Sequence, residues 1–186
     1  MNSRALMAGI MIGFAAILSC AISNPILAAG FFSLGLLYIR MNGWYLYTGQ
    51  IQNLALKKTT FKELIWGLFC NIYGVTIIIL PVIFLDNPDF FAKFEAVQQA
   101  KWIHPWYHYI ASGAFCGILM TIATKKDAPL WISSACVMAF ILAGFNHCIA
   151  DWFYIIVGGF KYFFLWLCTV FGNFIGGYLV APRNYG

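Results

Sequence analysis

An all-α integral membrane fold is predicted, with six transmembrane helices arranged as two inverted three-helix repeats whose second and fifth helices are broken. Three observations predict it. The 186 residues are 62 % apolar and 9 % charged, with a mean hydropathy of +0.81, against roughly a quarter charged in soluble chains. Apolar runs follow one another with only short gaps, and motifs of the first half recur in order in the second. A span takes about 20 apolar residues, so six use about 120 and leave only short loops. Residues 1–186 are therefore read as a single transmembrane domain, with one repeat over about 5–85 and the other over about 102–182. A soluble enzyme, a nucleic-acid-binding module and a single-span anchor carrying a headpiece are excluded.

The first span covers about residues 5–23, after Arg4. Ile17-Leu18-Ser19-Cys20 faintly resembles a lipoprotein cleavage site, but a second apolar stretch follows almost at once, so the run is read as a span and not as a signal peptide. That second stretch, about 26–56, carries Arg40, Asn42, Gly43, Thr48, Gly49 and Gln50 in its middle. The third and fourth, about 63–85 and 102–124, are uninterrupted, whereas the fifth, about 129–157, carries Gly144, Asn146, His147 and Asp151. The sixth runs over about 161–182. Lipid offers polar backbone no partner, so non-helical chain at membrane depth must be buried in protein or line a wet cavity. The second and fifth spans are accordingly read as broken helices.

The net charge of +5 is a topology signal, because Lys and Arg collect on the cytoplasmic side. With the N-terminus inside, Arg4, Lys57, Lys58, Lys62, Lys125, Lys126 and Arg183 fall inside, and Lys93, Lys101 and Lys161 fall outside with Asp86, Asp89 and Glu95. Both termini are then cytoplasmic, in a multi-pass protein of the cell membrane, with a bacterial inner membrane as the expected setting. Cys20, Cys70, Cys116, Cys136, Cys148 and Cys168 all fall in apolar stretches with no C-x-x-C spacing, and read as small buried thiols.

The repeat rests on three matches. Gly9-x-x-x-Gly13 recurs as Gly113-x-x-x-Gly117, Asn71-x-x-Gly74 as Asn173-x-x-Gly176, and the break at Gly43 as that at Gly144, at offsets of 104, 102 and 101 residues. Copies of three spans have opposite topology, the plan of transporters and channels with a site at the midplane between two broken helices.

Functional weight falls on the breaks. His147 lies centrally in span five, where an ionisable side chain is by default functional; a buried neutral His bonded to backbone is the plainer alternative. Thr48 and Gln50 offer hydroxyl and amide donors to a small anion passing between the breaks, and His147 offers a proton near neutral pH. Arg40 and Asp151 are charges within spans, expected to form a buried ion pair unless Asp151 is protonated. Snorkelling of Arg40 to an interface competes with that expectation. His104 and His108 stand four apart, a spacing that suits a metal or haem, although Pro105 and the neighbouring aromatics suit an interfacial belt.

Around these breaks the sequence resembles the formate/nitrite transporter family. Phe31-Phe32-Ser33-Leu34-Gly35-Leu36, then Gly43 and Leu46-Tyr47-Thr48-Gly49-Gln50, resemble its second helix and the interrupting loop. The segment from Gly144 to Phe153 is similar to its fifth-helix motif, Gly-Phe-Glu-His followed by a small-residue, Asn and Phe pattern, and Gly172-Asn173-Phe174-Ile175-Gly176-Gly177 to its closing Gly-Asn-x-x-Gly-Gly. Lys101 before Gly113 completes the set. The resemblance implies an aquaporin-like protomer with its own pore in a homopentamer, passing formate, nitrite, hydrosulfide or a similar monovalent anion, often with a proton. It places Thr48 and His147 in a central chamber, with Asn146, Gln50 and Lys101 on the pathway, and Phe32, Leu36, Leu46, Tyr47, Met120 and Phe140 in two apolar constrictions. One scheme has Lys101 draw the anion inward until burial raises its acid pKa and it crosses as the neutral acid; the other makes His147 the proton donor. No enzyme activity, cofactor or metal is implied.

Four positions depart from the family pattern: Asn146 stands where it has Glu, Asp151 where it has Asn, Gln50 where Asn is common, and Gly117 where a fourth-helix Asn is usual. Gly117 removes a chamber hydrogen bond, and Asp151 adds a carboxylate beside His147. The short loops and termini argue against an elaborate cytoplasmic gate. Two other readings predict different behaviour. A haem-binding membrane anchor of an oxidoreductase, built on His104, His108 and His147, predicts a Soret band, and a pore for a neutral solute predicts flux insensitive to anion pKa.

Overall fold

The computed structural model describes residues 2–84 and 87–182; Asp86 and Arg183, two charges used in the topology argument, lie outside them. Among the described residues the chain is helical with no strand. Helix α1 spans Ser3–Ala21, α2 Pro25–Met41, α3 Tyr47–Ala55 and α4 Phe61–Ile79, which runs into a 3-10 turn over Leu80–Phe84. Then come α5, Pro88–Lys101, α6, Trp106–Ala123, α7, Leu130–Leu142, α8, Cys148–Gly158, and, after a 3-10 turn, α9, Phe163–Leu179.

Local sequence explains the boundaries. Asn24 accepts hydrogen bonds from the N–H groups of Ile26 and Leu27 ahead of Pro25, an N-cap followed by a first-position proline. Thr60 and Glu63 form a reciprocal capping box at the start of α4, and Asn87 caps α5 before Pro88.

The second and fifth predicted spans are each divided, α2 from α3 and α7 from α8, and the two breaks use one backbone device. Gly43 and Gly144 take φ of +61° and +72°, a left-handed conformation that glycine adopts without Cβ strain. The next N–H reaches back five residues in each case, Trp44 to the Ile39 carbonyl at 3.0 Å and Phe145 to the Phe140 carbonyl at 2.8 Å. This is a Schellman closure. Among the described residues, by length and hydropathy, Ser3–Ala21, Phe61–Val82 and Phe160–Leu179 are the helices each long and apolar enough to cross a membrane alone.

Helix α1 packs along α4 and α2, α6 packs along α9 and α7, and α2 meets α7. The half-helices cross over: α3 leans on α9, and α8 on α4. Glycines set the closest approaches. A methyl group on Gly9 would overlap the Asn71 carbonyl, and one on Gly117 the Asn173 carbonyl. These contacts correct the register drawn from the motifs, because Gly9 corresponds to Gly117 and Ala5 to Gly113, one helical turn from the sequence match. Small residues four apart present the same face after each turn, so the motif alone slides by a turn.

All six cysteines are buried and free. Large apolar side chains such as Phe31, Trp66, Phe115 and Phe171 are exposed on the outside of the bundle, as a protein solvated by lipid requires. The segment between α4 and α6, which the apolar runs leave as a connection, holds α5. It packs on α1 and α8 through buried Phe90 and Phe94 and carries Lys93 and Lys101.

Candidate functional site

Two fully buried asparagines hold the breaks open. Asn71 on α4 donates to the carbonyls of Ala5 (2.7 Å) and Tyr45 (2.9 Å) and accepts from the N–H of Tyr47 (2.8 Å). Asn173 on α9 donates to the carbonyls of Gly113 (2.8 Å) and Asn146 (2.9 Å) and accepts from the N–H of Cys148 (2.9 Å). Each amide thus satisfies two backbone groups that the interrupted helix leaves without partners, Tyr45 O and Tyr47 N–H or Asn146 O and Cys148 N–H, and ties them to a carbonyl of the continuous helix α1 or α6. The sequence marks both residues as repeat positions, but their work at the breaks shows only in three dimensions.

The breaks place Thr48 and His147 face to face, with Thr48 Oγ1 and His147 Nε2 3.0 Å apart. His147 is 2 % exposed and Thr48 wholly buried. His147 also caps α8, its Nδ1 accepting from the N–H of Ala150 at 3.2 Å. That bond assigns the imidazole hydrogen to Nε2, from which it is donated to the threonine hydroxyl. The ring stacks on Phe140 at 5.5 Å, and Phe140 meets Phe32 edge-on at 6.1 Å.

Beside this pair runs a polar chain. Ser112 Oγ donates to Asn146 Oδ1 (2.7 Å) and accepts from the Asn146 N–H (2.9 Å), and Asn146 Nδ2 donates to Asp151 Oδ2 (2.9 Å). Asp151 Oδ1 lies 3.0 Å from Lys101 Nζ. Asp151 is 2 % exposed, so its carboxylate is a buried charge matched by an ammonium and an amide, as such a charge requires.

The expected Arg40–Asp151 pair is not formed. Arg40 Nη2 donates to the carbonyls of Lys125 and Ala128, both at 2.9 Å, and Nη1 to Ser133 Oγ. The α6–α7 connection turns directly over the end of α2 and presents its own loop carbonyls there, while Asp151 sits in the first turn of α8 with Lys101 against it. The three histidines are not assembled either. His104 and His108 lie against each other, ring centroids 4.1 Å apart, before and at the start of α6, and both nitrogens of His147 are engaged.

Two cavities approach the Thr48–His147 pair from opposite ends. One, of about 490 Å³, is lined by Phe32, Phe140, His147, Asp151, Lys101 and Lys93 among others. The second, of about 770 Å³, is lined by Leu46, Gln50, Arg40, Lys58, Lys125 and Lys126 among others. Phe32 and Phe140 therefore border the first and Leu46 the second, whereas Leu36, Tyr47 and Met120 are buried and line neither. Gln50 is on the second cavity, where its Oε1 accepts from Asn53 at 2.6 Å, and not beside His147. The first cavity is largely apolar with Lys93, Lys101 and Asp151 on its wall, the second is more polar, and the Thr48–His147 hydrogen bond lies among buried apolar side chains beside them.

Comparison with known proteins adds to this picture. The family model described as Formate/nitrite transporter matches residues 1–183. A solved structure described as a pentameric formate channel with formate bound has 24 % identity and a TM-score of 0.76, covering 95 % of this chain and 91 % of that one. One described as an FNT family ion channel has 19 % identity and a TM-score of 0.83, covering 98 % of this chain and 87 % of that one. No curated protein matches. At these identities the structural likeness speaks for the fold.

Proposed function

The chain belongs to the formate/nitrite transporter family, and from that premise we propose that it conducts small monovalent anions, such as formate, nitrite or hydrosulfide, together with a proton. In this reading the protomer crosses the cell membrane six times as two inverted halves, α1 to α4 and α6 to α9. The breaks meet at the midplane. Arg4, Lys57, Lys58, Lys62, Lys125 and Lys126 crowd the end away from α5, which favours both termini on the cytoplasmic side. Five protomers, each with its own pathway, make the assembly, by analogy with the similar pentameric formate channel.

The path follows from what each group offers an anion. From the α5-side cavity an anion meets Phe32 and Phe140, which give no hydrogen bond in exchange for lost water. An unpaired charge in such surroundings is costly, so the species that crosses is the neutral acid, protonated as burial raises its pKa. Behind the rings, Thr48 and the Nε2–H of His147 replace part of its hydration. Leu36, Leu46, Tyr47 and Met120 form the second apolar closure, and Gln50 receives the solute in the opposite vestibule. Lys101 and Asn146 act at the cavity wall through Asp151.

The Thr48–His147 hydrogen bond carries this reading, because it is a donor and acceptor pair placed where two water-accessible cavities converge on apolar side chains. The test is flux in proteoliposomes with formate, nitrite, hydrosulfide, acetate, lactate and chloride over a pH series, beside a His147→Asn variant. Selective flux that rises at acid pH and changes in the variant is expected. Absence of flux for every anion would reject the proposal, and flux insensitive to anion pKa would favour a neutral-solute pore.

A further inference from the structure

We propose that Lys93, on α5, is the residue that captures the anion at the mouth of the α5-side cavity, in place of Lys101; this rests on the transport reading above. Three charged residues line that cavity, Lys93, Lys101 and Asp151. Lys101 and Asp151 form an ion pair at 3.0 Å, and a paired ammonium and carboxylate act together as a dipole whose field falls away faster than that of a single charge. The cavity's net unit of positive charge is therefore that of Lys93.

Lys93 is placed for the task. It is exposed, and it is tethered: its Nζ donates to Ser23 Oγ at 2.7 Å and to the carbonyl of Ala21 at 3.4 Å, at the end of α1. Both acceptors are neutral, so they orient the ammonium without cancelling its charge. Among the described residues, the one salt bridge is that of Lys101 with Asp151. Lys93 also precedes Lys101 by eight residues on the same helix, about 12 Å of rise. Net charge in a cleft raises the local concentration of counter-ions, and here, with Lys101 and Asp151 paired, that charge comes from one side chain that the family-like motifs do not include.

Formate uptake into proteoliposomes from the α5 side, measured against concentration at about 10 mM and about 150 mM salt, tests the assignment. Lys93→Gln is expected to raise half-saturating formate about tenfold at low salt, to flatten the salt dependence and to leave the maximal rate unchanged. Lys93→Arg, which keeps the charge, is expected to retain wild-type values. Asp151→Asn, which releases Lys101 from its partner, is expected to restore apparent affinity in the Lys93→Gln background. Wild-type half-saturation and salt dependence in Lys93→Gln would overturn the proposal, as would equal impairment by Lys93→Arg, since that would assign the effect to the tether and not to charge. Absence of formate flux in the wild-type protein would count against the transport reading itself.

Discussion

Thr48 and His147 are 99 residues apart in sequence and 3.0 Å apart in space. Neither reaches the other by belonging to a regular helix. Thr48 sits in the first turn of α3 and His147 is the residue before α8, so each is presented where a helix restarts after a glycine-closed break. The two restarts share their backbone but not their chemistry: the capping position of α3 is Leu46, with no side-chain bond, whereas that of α8 is His147, which accepts from Ala150. The two breaks thus supply one apolar and one polar lip.

Removing the hydroxyl should expose the value of this bond. Thr48→Ala is expected to reduce anion flux about tenfold, the effect of one hydrogen bond to a passing solute worth about 1.4 kcal/mol, while Thr48→Ser retains flux. Initial rates in proteoliposomes check it. Equal rates for Thr48→Ala and wild type would move the pathway away from this residue.

His147 has two roles that substitution separates. Asn is among the best N-caps, so His147→Asn is expected to preserve α8 and the melting temperature in detergent while altering flux and its pH profile. His147→Phe removes cap and donor together, and is expected to cost about 1 kcal/mol of stability and to abolish flux. If His147→Asn carried anions with the wild-type pH profile, the imidazole would have no part in proton movement.

The helix breaks were legible in the sequence, because Gly43 and Gly144 with their polar neighbours interrupt apolar runs that lipid would otherwise solvate. Thr48 and His147 stand out for the same reason, as polar residues beside those breaks, whereas Phe32, Phe140 and Leu46, apolar residues in or beside apolar runs, are singled out only by the family resemblance. Partnership was not. Arg40 and Asp151 are both charges in broken spans, but which carbonyls turn over the end of α2, and which ammonium faces α8, depends on the α6–α7 connection and on α5. That helix is hard to read, since its buried Phe90 and Phe94 are mixed with Asp89, Lys93 and Glu95 in a stretch without an apolar run. Its signal is Asn87 before Pro88, a cap and first-position proline. Lys93 stays anonymous until the helix that carries it is placed.

Arg40 is expected to behave as an anchor of the α6–α7 connection. Its guanidinium holds the carbonyls of Lys125 and Ala128 and the hydroxyl of Ser133, so Arg40→Gln should speed hydrogen exchange in the segment from Thr124 to Leu130 without changing exchange in α8. Protection lost in α8 instead would revive a connection between Arg40 and Asp151.

Asn71 and Asn173 provide the strictest comparison, because each makes one donated and one accepted bond to backbone at its own break and a second donated bond to a carbonyl of a continuous helix. Side-chain hydrogen bonds within membrane proteins average about 0.6 kcal/mol, so loss of three by Asn71→Ala or Asn173→Ala is expected to cost about 2 kcal/mol in either case. Thermal unfolding in detergent measures both. Their flux should differ even where their stability does not: Asn173 fixes the carbonyl of Asn146, beside the capping His147, whereas Asn71 fixes Tyr45 beside Leu46. Asn173→Ala is therefore expected to lose flux to a greater extent than Asn71→Ala at matched stability. The reverse order would place the selective element of the pathway at the first break and not at the second.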